Sequence, residues 1–159
     1  MKRLIAAVAV QLACVGLAVA PQLSARTTGD VYEFTVGPVD PIDPFRGAYV
    51  ALSYPDLRRG DDGASLGVLD DGHRGDVFVS LTKQGDVWAA SDWSRTRPAQ
   101  GPYLACDDHG WQIDCGIESW FLPQGKAIEV EKAVLDETAI ARVKIDSRGN
   151  AALLDVTTD

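Results

Sequence analysis

Phe45-Arg46-Gly47-Ala48-Tyr49-Val50-Ala51-Leu52-Ser53-Tyr54 is the stretch on which the fold turns. From Ala48 onward its side chains alternate, with Val50, Leu52 and Tyr54 on one face and Tyr49, Ala51 and Ser53 on the other. A strand with large side chains on both faces suits the interior of a small sheet, so it reads as a central core strand rather than a binding strand. Gly47 frees the backbone where the strand begins, and Pro44 stiffens the approach. Pro55 withholds the next ladder donor and should end it.

Outward from this strand the chain reads as one antiparallel β domain of about eight strands, barrel-like or a sandwich, behind an N-terminal membrane helix. Val31 to Val36 alternates as a first strand, and the prolines of Gly37 to Pro44 make a loop. Pro55 to Asp76, rich in glycine and aspartate, reads as a long exposed loop. Asp61-Asp62, Asp70-Asp71 and His73 fit neither a calcium-loop nor a zinc spacing, so no metal is expected there. Asp76 to Leu81 and Asp86 to Ser91 form a hairpin across Lys83-Gln84-Gly85, with Val77, Val79 and Leu81 on one face. Trp88 and Trp93 read as core or rim packing, and Pro98 and Pro102 bracket a further turn.

Tyr103 to Cys106 and Trp111 to Ile117 should pair next. Cys106 and Cys115 are the candidates for a disulfide, since Cys14 lies in the apolar segment. A turn centred on Asp108 and His109 would set Cys106 opposite Trp111 and Cys115 opposite Pro102, too far apart unless the turn shifts or bulges. After Pro123-Gln124-Gly125, the helical spacing of Ala127, Val130 and Val134 predicts one covering helix from Lys126 to Asp136. A closing hairpin follows, Ala139 to Ile145 and Ala151 to Val156, turning at Asp146 to Asn150.

The N-terminal segment from Leu4 to Ala20 holds no charge, with Gln11 and Cys14 its only polar interruptions. Its seventeen residues cover about 25 Å as a helix, the lower edge of what crosses a bilayer. Ala18-Val19-Ala20 has the small-x-small form of a cleavage site, but Pro21 follows the cut, which favours an uncleaved anchor; residues 1–25 read as anchor and linker, with Gln22 to Asp30 a short polar connector to the β domain. Lys2 and Arg3 predict a cytoplasmic amino terminus, with residues 26–159 outside. Ala9, Ala13, Gly16 and Ala20 line one helical face, while Gln11 and Cys14 lie a turn apart on another. Small residues admit a neighbouring helix, and a glutamine in hydrocarbon is best satisfied by one. Beyond Arg3 the chain carries 13 basic and 23 acidic residues, a net charge of −10 that disfavours nucleic acid and flat docking on anionic lipid.

Two blocks carry a resemblance. Asp43 to Tyr54 resembles the signature of the GDYXXLXY family, with Arg46, Gly47, Tyr49, Leu52 and Tyr54 on the pattern and Ala48 where that family usually has aspartate. Cys115 to Gly125 resembles its Y-G-I-E-S-Y-F-V-P-E-G segment at Gly116, Ile117, Glu118, Ser119, Phe121, Pro123 and Gly125. The resemblance implies a single-pass protein of the bacterial plasma membrane, encoded beside polytopic membrane proteins. It implies no particular reaction and no cofactor. An accessory or scaffold role beside a polytopic partner is therefore the expected function.

Glu118 and Ser119 are the best candidates for chemistry, yet a serine nucleophile needs a base, and both histidines, His73 and His109, lie in acidic loops. The expectation is that Glu118 pairs with an arginine such as Arg46 and that Ser119 bonds backbone. An anchor followed by an Arg-Gly-x-Tyr-Val strand also resembles signal peptidases, but the serine-lysine pair that such a hydrolase needs is not apparent.

Overall fold

A computed structural model describes residues 2–37, 49–57, 72–109, 113–121 and 139–158. One long helix, α1 (Lys2–Thr28), precedes a mainly β head. Among the described residues the strands are β1 (Asp30–Val36), β2 (Tyr49–Ala51), β3 (Gly75–Gln84), β4 (Val87–Ser94), β5 (Tyr103–Asp108), β6 (Ile113–Asp114), β7 (Ser119–Phe121), β8 (Ala139–Ile145) and β9 (Ala151–Thr158). They form three antiparallel sheets ordered β1-β8-β9, β2-β7 and β4-β3-β5-β6.

Alternation places the core. β8 buries Ala139, Ala141, Val143 and Ile145 on one face and shows Arg142 and Lys144 on the other, where Arg142 meets Glu33 of β1 and Asp155 of β9. Phe34 and Val36 of β1 add to that face. In the larger sheet, the expected hairpin forms at Gly85, and Val77, Val79 and Leu81 of β3 are buried. The sheets share one core, joined by edge-on ring contacts: Tyr32 meets Trp88 with ring centres 4.9 Å apart, and Phe34 meets Tyr54 at 6.1 Å. Trp88 and Trp93 pack at its margin as anticipated.

Four expectations need correction. Among the described residues the core strand is not interior to a sheet: β2 ends at Ala51 and pairs with β7 alone, although Leu52 and Tyr54 are buried. Beyond β2 the amide of Leu52 continues this pairing by donating to the Glu118 carbonyl (2.8 Å), and Ser53 forms an isolated bridge with Gly37, just past the end of β1. Next, Pro55–Leu57 is not exposed loop but a 3₁₀ turn, with Leu57 buried and the Asp56 carboxylate accepting from the Thr35 amide at 3.2 Å. Third, β5 extends to Asp108 and pairs Asp107 with Asp114, which sets Cys106 opposite Cys115 and lets the disulfide form. The pairing is centred two residues further along than Asp108 and His109, and that shift resolves the awkward register.

The fourth concerns the connector. Residues Gln22 to Thr28 continue α1 instead of linking it loosely to the head. Thr27 and Thr28 donate their hydroxyls to the Leu23 and Ser24 carbonyls (2.7 and 2.9 Å), and the Gly29 amide closes the last turn on Ala25 (3.0 Å). Pro21 is tolerated within the helix. The loop over 38–44, most of the 55–76 loop and the helix expected from Lys126 to Asp136 lie outside the described residues.

Candidate functional site

The two sequence blocks meet. Antiparallel pairing of β2 with β7 sets Tyr49 opposite Phe121, Val50 opposite Trp120 and Ala51 opposite Ser119. Beyond the ladder the Tyr54 hydroxyl, buried in the core, donates to the Ile117 carbonyl at 2.8 Å. Thus Leu52 and Tyr54 of the first block hold the backbone of Ile117 and Glu118 in the second.

Glu118 organises the turn before β7. Its carboxylate accepts from the Cys115 amide (2.6 Å) with one oxygen and from the Ile117 amide (2.8 Å) with the other. Asp114 accepts from the Gly116 amide at 2.8 Å, a two-residue Asx turn, and Gly116 takes a left-handed backbone with φ 76° that favours glycine. The disulfide ties the same turn to β5. Burial of the Glu118 carboxyl, followed by the neighbouring Asp114 carboxyl, raises its pKa to about 7 against the pull of the two amides. Burial, and then the charge of Glu118, raises Tyr54 as well.

Of the sequence-selected positions, Tyr49, Leu52, Tyr54, Gly116, Ile117, Glu118, Ser119 and Phe121 come together here, while Arg46, Gly47, Pro123 and Gly125 lie outside the described residues. The expected pairing of Glu118 with Arg46 falls there too. Among the described residues, backbone amides hold the Glu118 carboxylate instead. Ser119 is exposed on β7, and its residue pairs with Ala51. Of the lysines, Lys144 donates to the Arg26 carbonyl at 2.8 Å and Lys83 is exposed near the β3–β4 turn. No group of three or more His, Cys, Asp or Glu among the described residues is placed to hold a metal ion. Asp114 escaped the sequence reading, though its place two residues before a glycine was a usable Asx-turn signal.

A second constellation lies where α1 meets the head. Ala25 is fully buried, the Ser24 hydroxyl donates to the Asp146 carboxylate, and the Arg26 guanidinium reaches the Leu153 carbonyl at 3.3 Å. Asp146 also accepts from the amides of Arg148 (2.8 Å) and Asn150 (3.0 Å) and from the Asn150 side chain (2.9 Å). Burial raises its pKa, but these bonds outweigh it and hold the group below the ordinary aspartate value. Ala9, Gln11, Ala13, Cys14, Gly16 and Ala20 all sit on the exposed length of α1, and Cys14 is a free thiol.

Searches of curated proteins and of solved structures each returned no match. The family model described as GDYXXLXY protein matches residues 11–156, which takes in most of α1, both blocks and the closing hairpin. The chain whose paired β2 and β7 carry those blocks is therefore a member of the GDYXXLXY protein family.

Proposed function

We propose that the protein is a membrane-anchored accessory or scaffold subunit whose β head lies outside the cytoplasm of a bacterial cell, beside a polytopic membrane protein. The observation that carries this reading is how the polar groups of the two blocks are engaged. The Tyr54 hydroxyl and the carboxylates of Asp114 and Glu118 all bond the chain's own backbone, an arrangement suited to holding a fold rather than to turning over a substrate. The anchor supports it from the other side. α1 is long and apolar enough to cross a membrane, and none of its most apolar window is buried against the head. Lys2 and Arg3 favour a cytoplasmic amino terminus. Ala9, Ala13, Gly16 and Ala20 offer a face that a neighbouring helix can approach, and Gln11 a group that such a helix can satisfy.

A photoreactive residue placed at position 13 or 16 of the full chain in its native membrane should yield adducts with a polytopic protein, identified by mass spectrometry. Lipid adducts alone, together with a catalytic activity retained by the head after removal of the anchor, would replace this reading with that of a tethered enzyme.

A further inference from the structure

We infer that α1 and the head form one rigid unit, in which the β8–β9 turn (Asp146–Asn150) is held against the phospholipid headgroup layer of the membrane that α1 crosses. This rests on the membrane-anchor part of the proposed function, and not on the polytopic partner. The junction has no slack. Gly29 alone separates α1 from β1, and a Cβ there would come within 2.5 Å of the Ala25 carbonyl oxygen and 2.8 Å of the Ile145 carbonyl carbon. On either side of it, buried Ala25, the Ser24–Asp146 bond and the paired contacts of Arg26 with Leu153 and Lys144 fix the last two turns of the helix to β8 and β9.

Direction follows from the order of these contacts. Moving along α1 toward its apolar length, Arg26 lies level with Lys144 and Leu153, Ser24 with Asp146 just past the end of β8, and Gln22 beside Gly116, where its side-chain nitrogen is 3.9 Å from a Cβ built on that glycine. The helix therefore leaves the head past the β8–β9 turn, and the opposite end of the sheet, at Thr157, points away from the bilayer. Length then sets the height. The uncharged run from Leu4 to Ala20 spans about 25 Å where a hydrocarbon core is about 30 Å thick, so roughly three further residues, Pro21 to Leu23, are drawn in. Ser24 then stands at the hydrocarbon boundary, and its partner Asp146 carries the turn into the headgroup layer. Charge near the stem is mixed although the head is acidic overall: Arg26 and Arg148 are exposed there, as are Asp30 and Asp114, while Asp146 is buried among donors. Basic groups near such a surface favour anionic lipid.

The test uses the full chain in vesicles of phosphatidylethanolamine and phosphatidylglycerol, with Cys14→Ala as background and an environment-sensitive fluorophore on either Ser147→Cys or Thr157→Cys. A lipid carrying a nitroxide on its headgroup should quench the probe at 147 severalfold and leave that at 157 unchanged. A flexible Gly/Ser linker inserted between Ala20 and Pro21, which spares every stem contact, should bring quenching at 147 down to the level at 157. Equal quenching at the two positions without the linker, or no effect of the linker, would overturn the inference. Failure of the chain to float with the vesicles would instead remove the anchor reading beneath it.

Discussion

Glu118 sits between opposing influences, and their balance is measurable. Two amides favour its charged form, while burial and the nearby Asp114 carboxyl favour the protonated one and win, taking the pKa from the ordinary 4.5 to about 7. A carboxyl whose pKa is higher in the folded state binds more protons there, so its contribution to stability is complete below about 4.5 and is lost as pH rises through about 7. The largest loss this shift allows is about 3 kcal/mol. Asp146 works the other way, since its pKa is lowered from 3.8 and its contribution is lost only as pH falls below that value. The window between pH 4.5 and 7 thus belongs to Glu118. Urea unfolding across that window should show wild-type stability declining with pH and Glu118→Gln, less stable at acid pH through a poorer fit to two amides, declining far less. Parallel slopes for the two proteins would mean that the carboxyl titrates normally in the fold.

At the scale of elements, the disulfide between Cys106 and Cys115 closes a short loop across β5 and β6, with a sequence separation of 9. Cross-linking so short a loop restricts the unfolded chain by about 3 kcal/mol. Cys106→Ala with Cys115→Ala should lower the stability of the head by roughly that amount, and hydrogen exchange should quicken first at Ile113 to Ile117. Unchanged exchange there would show that Glu118 and Tyr54 hold the turn unaided. β8 was legible in the sequence because its buried residues alternate with half-exposed ones, and β3, β4 and β9 because the turn residues Lys83-Gln84-Gly85 and Asp146 to Asn150 mark where each hairpin folds back. The β5–β6 register was not, because residue types specify poorly where along an Asp/Gly/His-rich stretch the turn is centred. The strand through Leu52 and Tyr54 misled because apolar side chains report burial without saying what buries them: both pack into the shared core, while among the described residues β2 pairs with β7 alone. The last two turns of α1 were invisible because Gln22 to Thr28 has no apolar periodicity. Its helical form depends on Asp146 and Leu153, more than a hundred residues away.

That dependence makes the stem part of the fold of the whole molecule, and truncation separates its two duties. Among the described residues α1 is exposed as far as Leu23, and its hydrogen bonds to the head run from Ser24 to Arg26, so on the anchor reading residues before Pro21 serve the membrane and the stem that follows serves the head. A chain beginning at Pro21 should unfold at the same urea concentration as the head of the full-length protein. One beginning at Asp30 loses the burial of Ala25, the Ser24 bond to a buried carboxylate and the contacts of Arg26, which together are worth about 2–4 kcal/mol. Equal stability of the two truncated chains would show that the stem contacts contribute nothing to folding, and with them would go the reason for a fixed orientation on the membrane. The division also bears on processing at Ala18-Val19-Ala20. Cleavage there would release an intact head with its stem still docked, so the fold gives that bond no protection. On the anchor reading proposed above, retention in the membrane rests instead on the chemistry of the site itself, where Pro21 occupies the position after the cut. Pro21→Ala should therefore increase the fraction of head released from the membrane without changing its stability, and release that stayed constant would place the safeguard elsewhere in α1.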